Sequence, residues 1–405
     1  MPILRKVKSL SKYIDQFSFA LLNVGTIFFI SKFLASDQAA KYVLVSSYAS
    51  FSLIVIVAIV ISPYWIFSAD TDKRYENFIF SFYATLGISI LCGFVLGCLF
   101  TINSGSYTSG ALILALSIAY PVYDFLRRSL YVHHGEFVSA ICSALLCFFV
   151  ATVYLTFNYL DVSGFEVYVI VLISFIAIAN LVMYKFNTHL IDSSINKVKI
   201  SYREKSRDYW LLGKWSAGSM TCFWMATQGL FIILSKYISD EQLVTTRLCL
   251  SITGIISIYF TALENNLMPS LRKQFINKQY DSILVVRKSY YLKGFLFSST
   301  MSLIIALFYN LFFQSGIIIF FILCCYQVFS GLLKFESYFL KVLQKHNVVF
   351  LSNFVALVAT LIFGYLLGVE NDYVLALMIL FNGVVCSMFY LFFSKFLSSN
   401  GEKYV

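Results

Sequence analysis

Charge is what this 405-residue chain has least of: Asp, Glu, Lys and Arg make up 12% of it, against 60% hydrophobic residues. Soluble domains carry about a quarter charged residues, so a water-soluble globular fold is excluded at the outset. Other absences narrow the function. No G-x-x-x-x-G-K-[ST] loop is present to cradle a nucleotide. The nine cysteines lie within or beside apolar runs, which leaves no extracytoplasmic disulfide framework. Only four histidines occur, and the pair His133-His134 has no Cys or carboxylate company, so neither a metal nor another cofactor is expected. The first apolar segment is long and lacks a small-residue cleavage pattern, so it reads as a signal-anchor helix.

Apolar runs long enough for a hydrocarbon core of ~30 Å recur about twelve times, from Tyr13–Phe33 through Leu243–Met268 and Gly316–Leu333 to Tyr373–Phe393. Each must be helical, because a backbone polar group left unpaired in lipid is costly. The loops then fix orientation. Arg5, Lys6, Lys8 and Lys12 share a side with Lys73, Arg74, Arg127, Arg128, the segment Lys197 to Arg207, Arg272, Lys273, Arg287, Lys288, Lys334, Lys341 and Lys395. The alternate loops hold only Lys41 and Lys236 beside Asp37, Asp161, Asp240, Glu241, Glu370 and Asp372. Cation-rich loops stay in the cytoplasm, which puts both termini there. This asymmetry accounts for the net charge of +10 without a nucleic-acid partner. The extracytoplasmic loops are too short for a folded domain.

An internal repeat gives the architecture. Ser31-Lys32-Phe33-Leu34-Ala35-Ser36-Asp37-Gln38 returns 204 residues later as Ser235-Lys236-Tyr237-Ile238-Ser239-Asp240-Glu241-Gln242. Phe125, Leu130, Val132 and Val138 likewise correspond to Phe335, Leu340, Val342 and Val348, at an offset of 210. The longest hydrophilic stretch, about Asn187 to Asp208, separates two sets of six spans. The expected organisation is an all-α polytopic membrane protein of two six-helix lobes, 1–200 with its cytoplasmic linker and 201–405. Six is even, so the lobes form a parallel repeat about an axis along the membrane normal, an arrangement found mainly in transporters.

Polar residues inside the spans are the candidate site, since an ionisable group in the bilayer usually faces a cavity or a partner. In the eighth span Arg247, Ser251, Gly254, Ser257, Thr261 and Glu264 recur every three or four residues along one helical face. The seventh span carries Lys214, Gly218, Thr221 and Gln228; the first carries Asp15 near its inner end and Asn23 at mid-depth. The fourth contributes Asp124 with Arg127 and Arg128 at i+3 and i+4, the spacing of a helix-surface ion pair. Asp15 also suits an N-terminal helix position, where its charge complements the dipole. Lys32 and Lys236 read as snorkelling anchors, Trp210 and Trp215 as interfacial belt residues, and Trp224 as a packing residue. If the stripes of spans one, seven and eight converge, Lys214 and Arg247 stand against Asp15 and Glu264 in a cation-bearing cavity suited to a diphosphate.

These residues resemble a known family. Tyr13-Ile14-Asp15-Gln16-Phe17 through Asn23, Pro121-Val122-Tyr123-Asp124-Phe125-Leu126-Arg127-Arg128, the stretch Trp210 to Trp215, and Glu264-Asn265-Asn266-Leu267-Met268-Pro269 are similar to Wzx-type flippases. These are the polysaccharide-biosynthesis branch of the multidrug/oligosaccharidyl-lipid/polysaccharide exporter superfamily. The resemblance implies a MATE-like fold in the bacterial inner membrane and alternating access by a non-enzyme. It implies transport of an undecaprenyl-diphosphate-linked oligosaccharide of O-antigen or capsule type. The partners it implies are that lipid-linked oligosaccharide, membrane lipids, and the polysaccharide polymerase and chain-length machinery. On this reading Arg247, Lys214, Ser251, Thr261, Gln228 and Asn23 meet the cargo. Asp15, Asp124, Arg127, Arg128 and Glu264 serve gating or ion coupling. Drug-exporting relatives carry a coupling carboxylate deep in the first helix; here Asn23 stands at mid-depth and Asp15 near the inner surface. Twelve spans also distinguish the chain from the fourteen-helix peptidoglycan-precursor flippases. The alternatives are a cation-coupled small-molecule antiporter of the same fold and a membrane glycosyltransferase or polymerase.

Overall fold

The computed structural model describes residues 2–68, 74–133, 135–191, 201–313, 316–343, 345–368 and 371–400. Within those helices the side chains of 2–10, 12, 261–262, 264–266, 268–270, 272–273, 276, 280, 312 and 397–400 lie outside the description. Twelve helices are long and apolar enough to cross a membrane, which makes this a multi-pass membrane protein. In chain order the first six are α1 (Pro2–Phe33), α2 (Ser36–Phe67), α3 (Arg74–Ser104), α4 (Tyr107–Val132), α5 (Glu136–Tyr159) and α6 (Phe165–Ile191). They are followed by α7 (Tyr202–Leu234), then α8, formed by Asp240–Thr253 and Ile255–Ile276 with Gly254 between them. The last four are α9 (Tyr280–Phe312), α10 (Ile317–Val342), α11 (His346–Leu367) and α12 (Val374–Asn400). Among the described residues there is no strand.

Three helices are irregular. A π-helical turn interrupts α2 at Val57–Ile61 and α7 at Met225–Gly229. At Gly254 the α8 ladder changes step: Gly254 N–H reaches Leu250 O at 3.0 Å, but Ser257 N–H reaches back only three residues to Gly254 O, at 2.9 Å. The polar stripe expected along one straight helix is therefore divided. Arg247 and Ser251 precede the break, and Ser257 follows it.

The chain forms two compact units, Met1–Trp224 and Met225–Val405. In the first, α4 is the central helix: 72% of its membrane-spanning window is buried, against 28% for α3. Packing between α3 and α4 is close because Gly97 faces Gly110, where an added Cβ would lie 2.6 Å from the carbonyl oxygen. Small residues at such crossings let backbones approach, as lipid-embedded helices require. Pro121 sits inside α4 and has no N–H for the carbonyl four residues back, that of Ser117. Ser52 of α2 donates to that oxygen at 2.8 Å. Asn180 and Asn187 of α6 donate to Ala119 O at 3.2 Å and Leu126 O at 3.1 Å.

The helix Tyr202–Trp224, which opens the second half of the sequence, packs on α2 and α3 of the first unit. Gly213 lies against Ala58 and Ile59 in the α2 π turn, and the Tyr209 hydroxyl is 2.9 Å from Ser81 Oγ. Lys205 Nζ is 3.0 Å from Glu76 Oε2 and donates to Asn77 Oδ1 at 2.5 Å. Trp224 is buried and donates to Ser47 O at 3.2 Å and Ser50 Oγ at 2.9 Å, a packing role.

In the second unit α10 contacts α8, α9, α11 and α12. Phe260, fully buried, lies on Gly331 of α10 and Gly294 of α9, and the Tyr290 hydroxyl donates to Gly331 O at 2.9 Å.

Both repeat signals reappear as local geometry. In the first echo Ser31 Oγ donates to Phe28 O at 3.1 Å, and its counterpart Ser235 Oγ donates to Ile232 O at 2.9 Å. Leu34 N–H and Ile238 N–H each close the last turn, onto Ile30 O and Leu234 O. The next helix then starts from an extended residue, Ala35 or Ser239. At the offset of 210, α4 (Tyr107–Val132) and α10 (Ile317–Val342) have corresponding bounds, and α5 and α11 begin at Glu136 and His346.

Candidate functional site

In the first unit the face of α1 carrying Ser11, Asp15, Ser18, Leu22 and Thr26 is buried, and α1 packs on α5. These residues recur every three or four positions, so they share one side of the helix. Because α1 begins at Pro2, Asp15 lies more than three turns inside it and does not serve as an N-terminal cap. Its carboxylate, 0% exposed, is held from two helices. Arg127 Nη1 of α4 donates to Oδ2 at 2.8 Å, and the Tyr131 hydroxyl donates to the same oxygen. Ser139 and Ser143 of α5 donate to Oδ1 at 3.0 and 2.5 Å.

Arg127, 1% exposed, also donates through Nη2 to Asp124 Oδ1 at 2.6 Å, and Arg128 Nε is 2.9 Å from Asp124 Oδ2. The Phe19 ring covers the Arg127 guanidinium at 4.3 Å. The i+3 and i+4 pairs expected on a helix surface thus exist, but Asp124 and Arg127 are buried and Arg128 is half-buried. Tertiary packing by α1 and α5 turns a surface pair into an interior one. Two carboxylates and two guanidiniums give a cluster with no formal net charge. Asp15 is therefore directed into helix packing and not towards Lys214, as convergence of the stripes required.

The second unit holds the other constellation. Gln228 stands on the π turn of α7, and its Oε1 accepts a hydrogen bond from Arg247 Nη1 of α8. Phe231, fully buried, lies under the guanidinium at 5.5 Å. Arg247 and Gln228 are half-buried, as is Ser251 one turn further along α8. Single-turn π segments inside α-helices occur often at functional sites, and this one presents the amide that meets Arg247. The side chains of Thr261 and Glu264 lie outside the described residues.

Lys214 and Asn23 belong to the first unit. Lys214 is half-buried with its Nζ 5.8 Å from the Trp215 ring, and no ion pair forms to it among the described residues. Asn23 is exposed, and its amide donates to Phe19 O at 3.1 Å. The structure thus joins Arg247 to Gln228, and Asp15 to Asp124, Arg127 and Arg128.

Sequence reasoning missed three buried carboxylates, Glu76, Glu136 and Glu336. Glu336 of α10, 0% exposed, is 2.6 Å from Arg287 Nη2 and accepts from Tyr291 OH and Ser394 Oγ, each at 2.5 Å. Lys334 and Glu336 interrupt the apolar run, so hydropathy ended that span at Leu333, whereas α10 continues to Val342. A signal was present all the same. Arg287 and Tyr291 repeat the i, i+4 spacing of Arg127 and Tyr131, and each pair grips one carboxylate. From sequence the His133-His134 pair raises only the question of a metal site. His133 Nε2 instead lies 3.0 Å from Tyr64 OH, which also meets Ser129 Oγ at 2.9 Å.

No family model matches the sequence, and no curated protein matches it. Solved structures do resemble this one. A mutant of the Vibrio cholerae MATE transporter VcmN superposes with a TM-score of 0.66 at 12% identity, over 97% of this chain and 96% of that one. A MOP superfamily transporter from Pyrococcus furiosus, described as having a binding pocket of reverse polarity, gives 0.67 at 12% identity over 97% and 95%. The lipid II flippase MurJ in an inward closed conformation gives 0.64 at 11% identity over 96% and 87%. The fold is that of MATE-type proteins: all-α, with twelve membrane-crossing helices.

Proposed function

We propose that this chain is a flippase of the bacterial inner membrane with both termini in the cytoplasm. Its cargo is an undecaprenyl-diphosphate-linked oligosaccharide of O-antigen or capsule type, moved from the inner to the outer leaflet by alternating access. The reading rests on Arg247. It is a half-buried guanidinium on a membrane helix, held by a neutral amide and backed by a buried ring. The planar fork of a guanidinium suits phosphate oxygens. The polysaccharide polymerase and chain-length machinery are the downstream partners. Export needs no nucleotide: a potential of 100 mV, negative inside, favours outward movement of two negative charges by about 4.6 kcal/mol across the full field.

A cation-coupled small-molecule antiporter is the second reading, favoured by the buried carboxylate of Asp15 on the first helix. Two arguments weigh against it. Asp15 is already paired with Arg127, and a basic site repels cationic drugs. Gene replacement separates the readings. Arg247→Ala and Lys214→Ala should each lower surface glycan at least tenfold at unchanged protein level. Full complementation by Arg247→Ala would remove the diphosphate site.

A further inference from the structure

We propose that a cavity where α8, α10 and α12 begin binds a sugar ring of the cargo. This rests on the proposed glycan cargo but not on Arg247. Thr245, which lines the cavity, is two residues from Arg247 and so about 200° away around α8. The volume is about 360 Å³, within the ~300–1,000 Å³ of small-molecule pockets. Its walls are tied together. Gln242 Nε2 of α8 donates to Asp372 O at 2.5 Å and to Asn371 O at 3.4 Å. Asn371 Oδ1 in turn accepts from Tyr373 N–H at 2.8 Å. Gly316, at φ 79°, brings the start of α10 against Thr245, whose methyl an added Cβ would strike.

The internal repeat marks what differs here. The offset of 204 matches Glu241 to Asp37, Gln242 to Gln38 and Thr245 to Lys41. In the first unit Lys41 Nζ is 3.6 Å from Asp37 Oδ2, and Gln38 Nε2 donates to that oxygen at 2.9 Å. In the second unit a threonine replaces the lysine and the amide turns to the α12 turn, so Glu241 has neither partner. The segments 239–245, 316–319 and 372–373 that line the cavity contain no Lys or Arg.

That divergence selects the ligand. The carboxylates of Glu241 and Asp372 only accept hydrogen bonds, so the ligand must donate them, and phosphate is repelled. Three helix N-termini disfavour a cation. A neutral polyhydroxyl ring meets both conditions: its hydroxyls face Glu241, Asp372 and Thr245, and its C–H face lies on Ile317 and Tyr373.

Thr245→Lys rebuilds the pair seen in the first unit and so closes the cavity. Purified protein in nanodiscs is titrated with the lipid-free oligosaccharide released by mild acid from the native strain's surface glycan. Binding is read by saturation-transfer difference NMR, and the thermal midpoint is measured in parallel. Thr245→Lys should weaken binding at least tenfold. Glu241→Gln with Asp372→Asn should weaken it about tenfold, the scale of a lost charge-assisted hydrogen bond. Both should melt at or above the parent midpoint, and Asp37→Asn in the first unit should bind as the parent does. No binding by the parent, or wild-type affinity in either cavity variant, overturns the inference. So does a loss that tracks a lowered midpoint, or displacement of the sugar by Ca²⁺. Gene deletion tells this failure from that of the flippase reading. Surface glycan lost on deletion leaves the reading standing without the cavity, whereas glycan intact on deletion removes both.

Discussion

Removing Arg127 is the sharpest test of the first unit, because the geometry states which group is orphaned. Arg127→Ala deletes a guanidinium that bridges Asp15 at 2.8 Å and Asp124 at 2.6 Å. Asp124 keeps Arg128 at 2.9 Å. Among the described residues Asp15 keeps only hydroxyls, those of Tyr131, Ser139 and Ser143. The result is one buried carboxylate without a counter-charge, and breaking such a pair costs about 3–5 kcal/mol. The cation–π contact with Phe19 disappears as well. At ~2 °C per kcal/mol, the slope for a domain of this size, the melting midpoint should fall by about 6–10 °C. The assay is thermal unfolding of purified protein, with helix content checked by circular dichroism. Adding Asp15→Asn to Arg127→Ala removes the orphaned charge and should recover part of the loss, a coupling that separate sites would not show. A single variant within 1 °C of the parent, or a double variant worse than additive, would refute the buried lock.

Two further outcomes test the second unit. Gly331→Ala places a Cβ into the Phe260 ring; overpacking should cost about 1–3 kcal/mol, read as a lower midpoint, and Phe260→Leu in the same chain should relieve it. Ser251→Cys, in a background lacking the nine native cysteines, should react with a membrane-impermeant thiol reagent in at least one transport state. A thiol unreactive in every state would take Ser251 away from the cargo path.

Much of the fold was legible because its causes are local. Twenty apolar residues in a row must form a helix in lipid whatever surrounds them, so the spans could be counted without knowing a single contact. The errors fell where a charge cut a run short, as at Lys334 and Glu336. The candidate site was only partly legible. Helical spacing put Arg247 and Ser251 on one face, yet it carried no information on the break at Gly254, which depends on a single change of hydrogen-bond step. Asp15 and Asp124 were visible as intramembrane carboxylates and helical spacing gave Asp124 its partners Arg127 and Arg128, but the pairing of Asp15 with Arg127 was not visible.

The sequence by itself therefore determined the class of the protein, its twelve helices and the echo between its halves. Hydrophobic length and turn chemistry are encoded within a few dozen consecutive residues. Only the tertiary structure decided what each polar group meets. It gave Asp15 to Arg127, 112 residues away, and Glu336 to Arg287 and Ser394, and it set Gln228 on a π turn against Arg247. A helical repeat tells which side chains share a face. Which helix covers that face is fixed by the packing of all the others, and so is the burial that turns a surface pair into an interior lock.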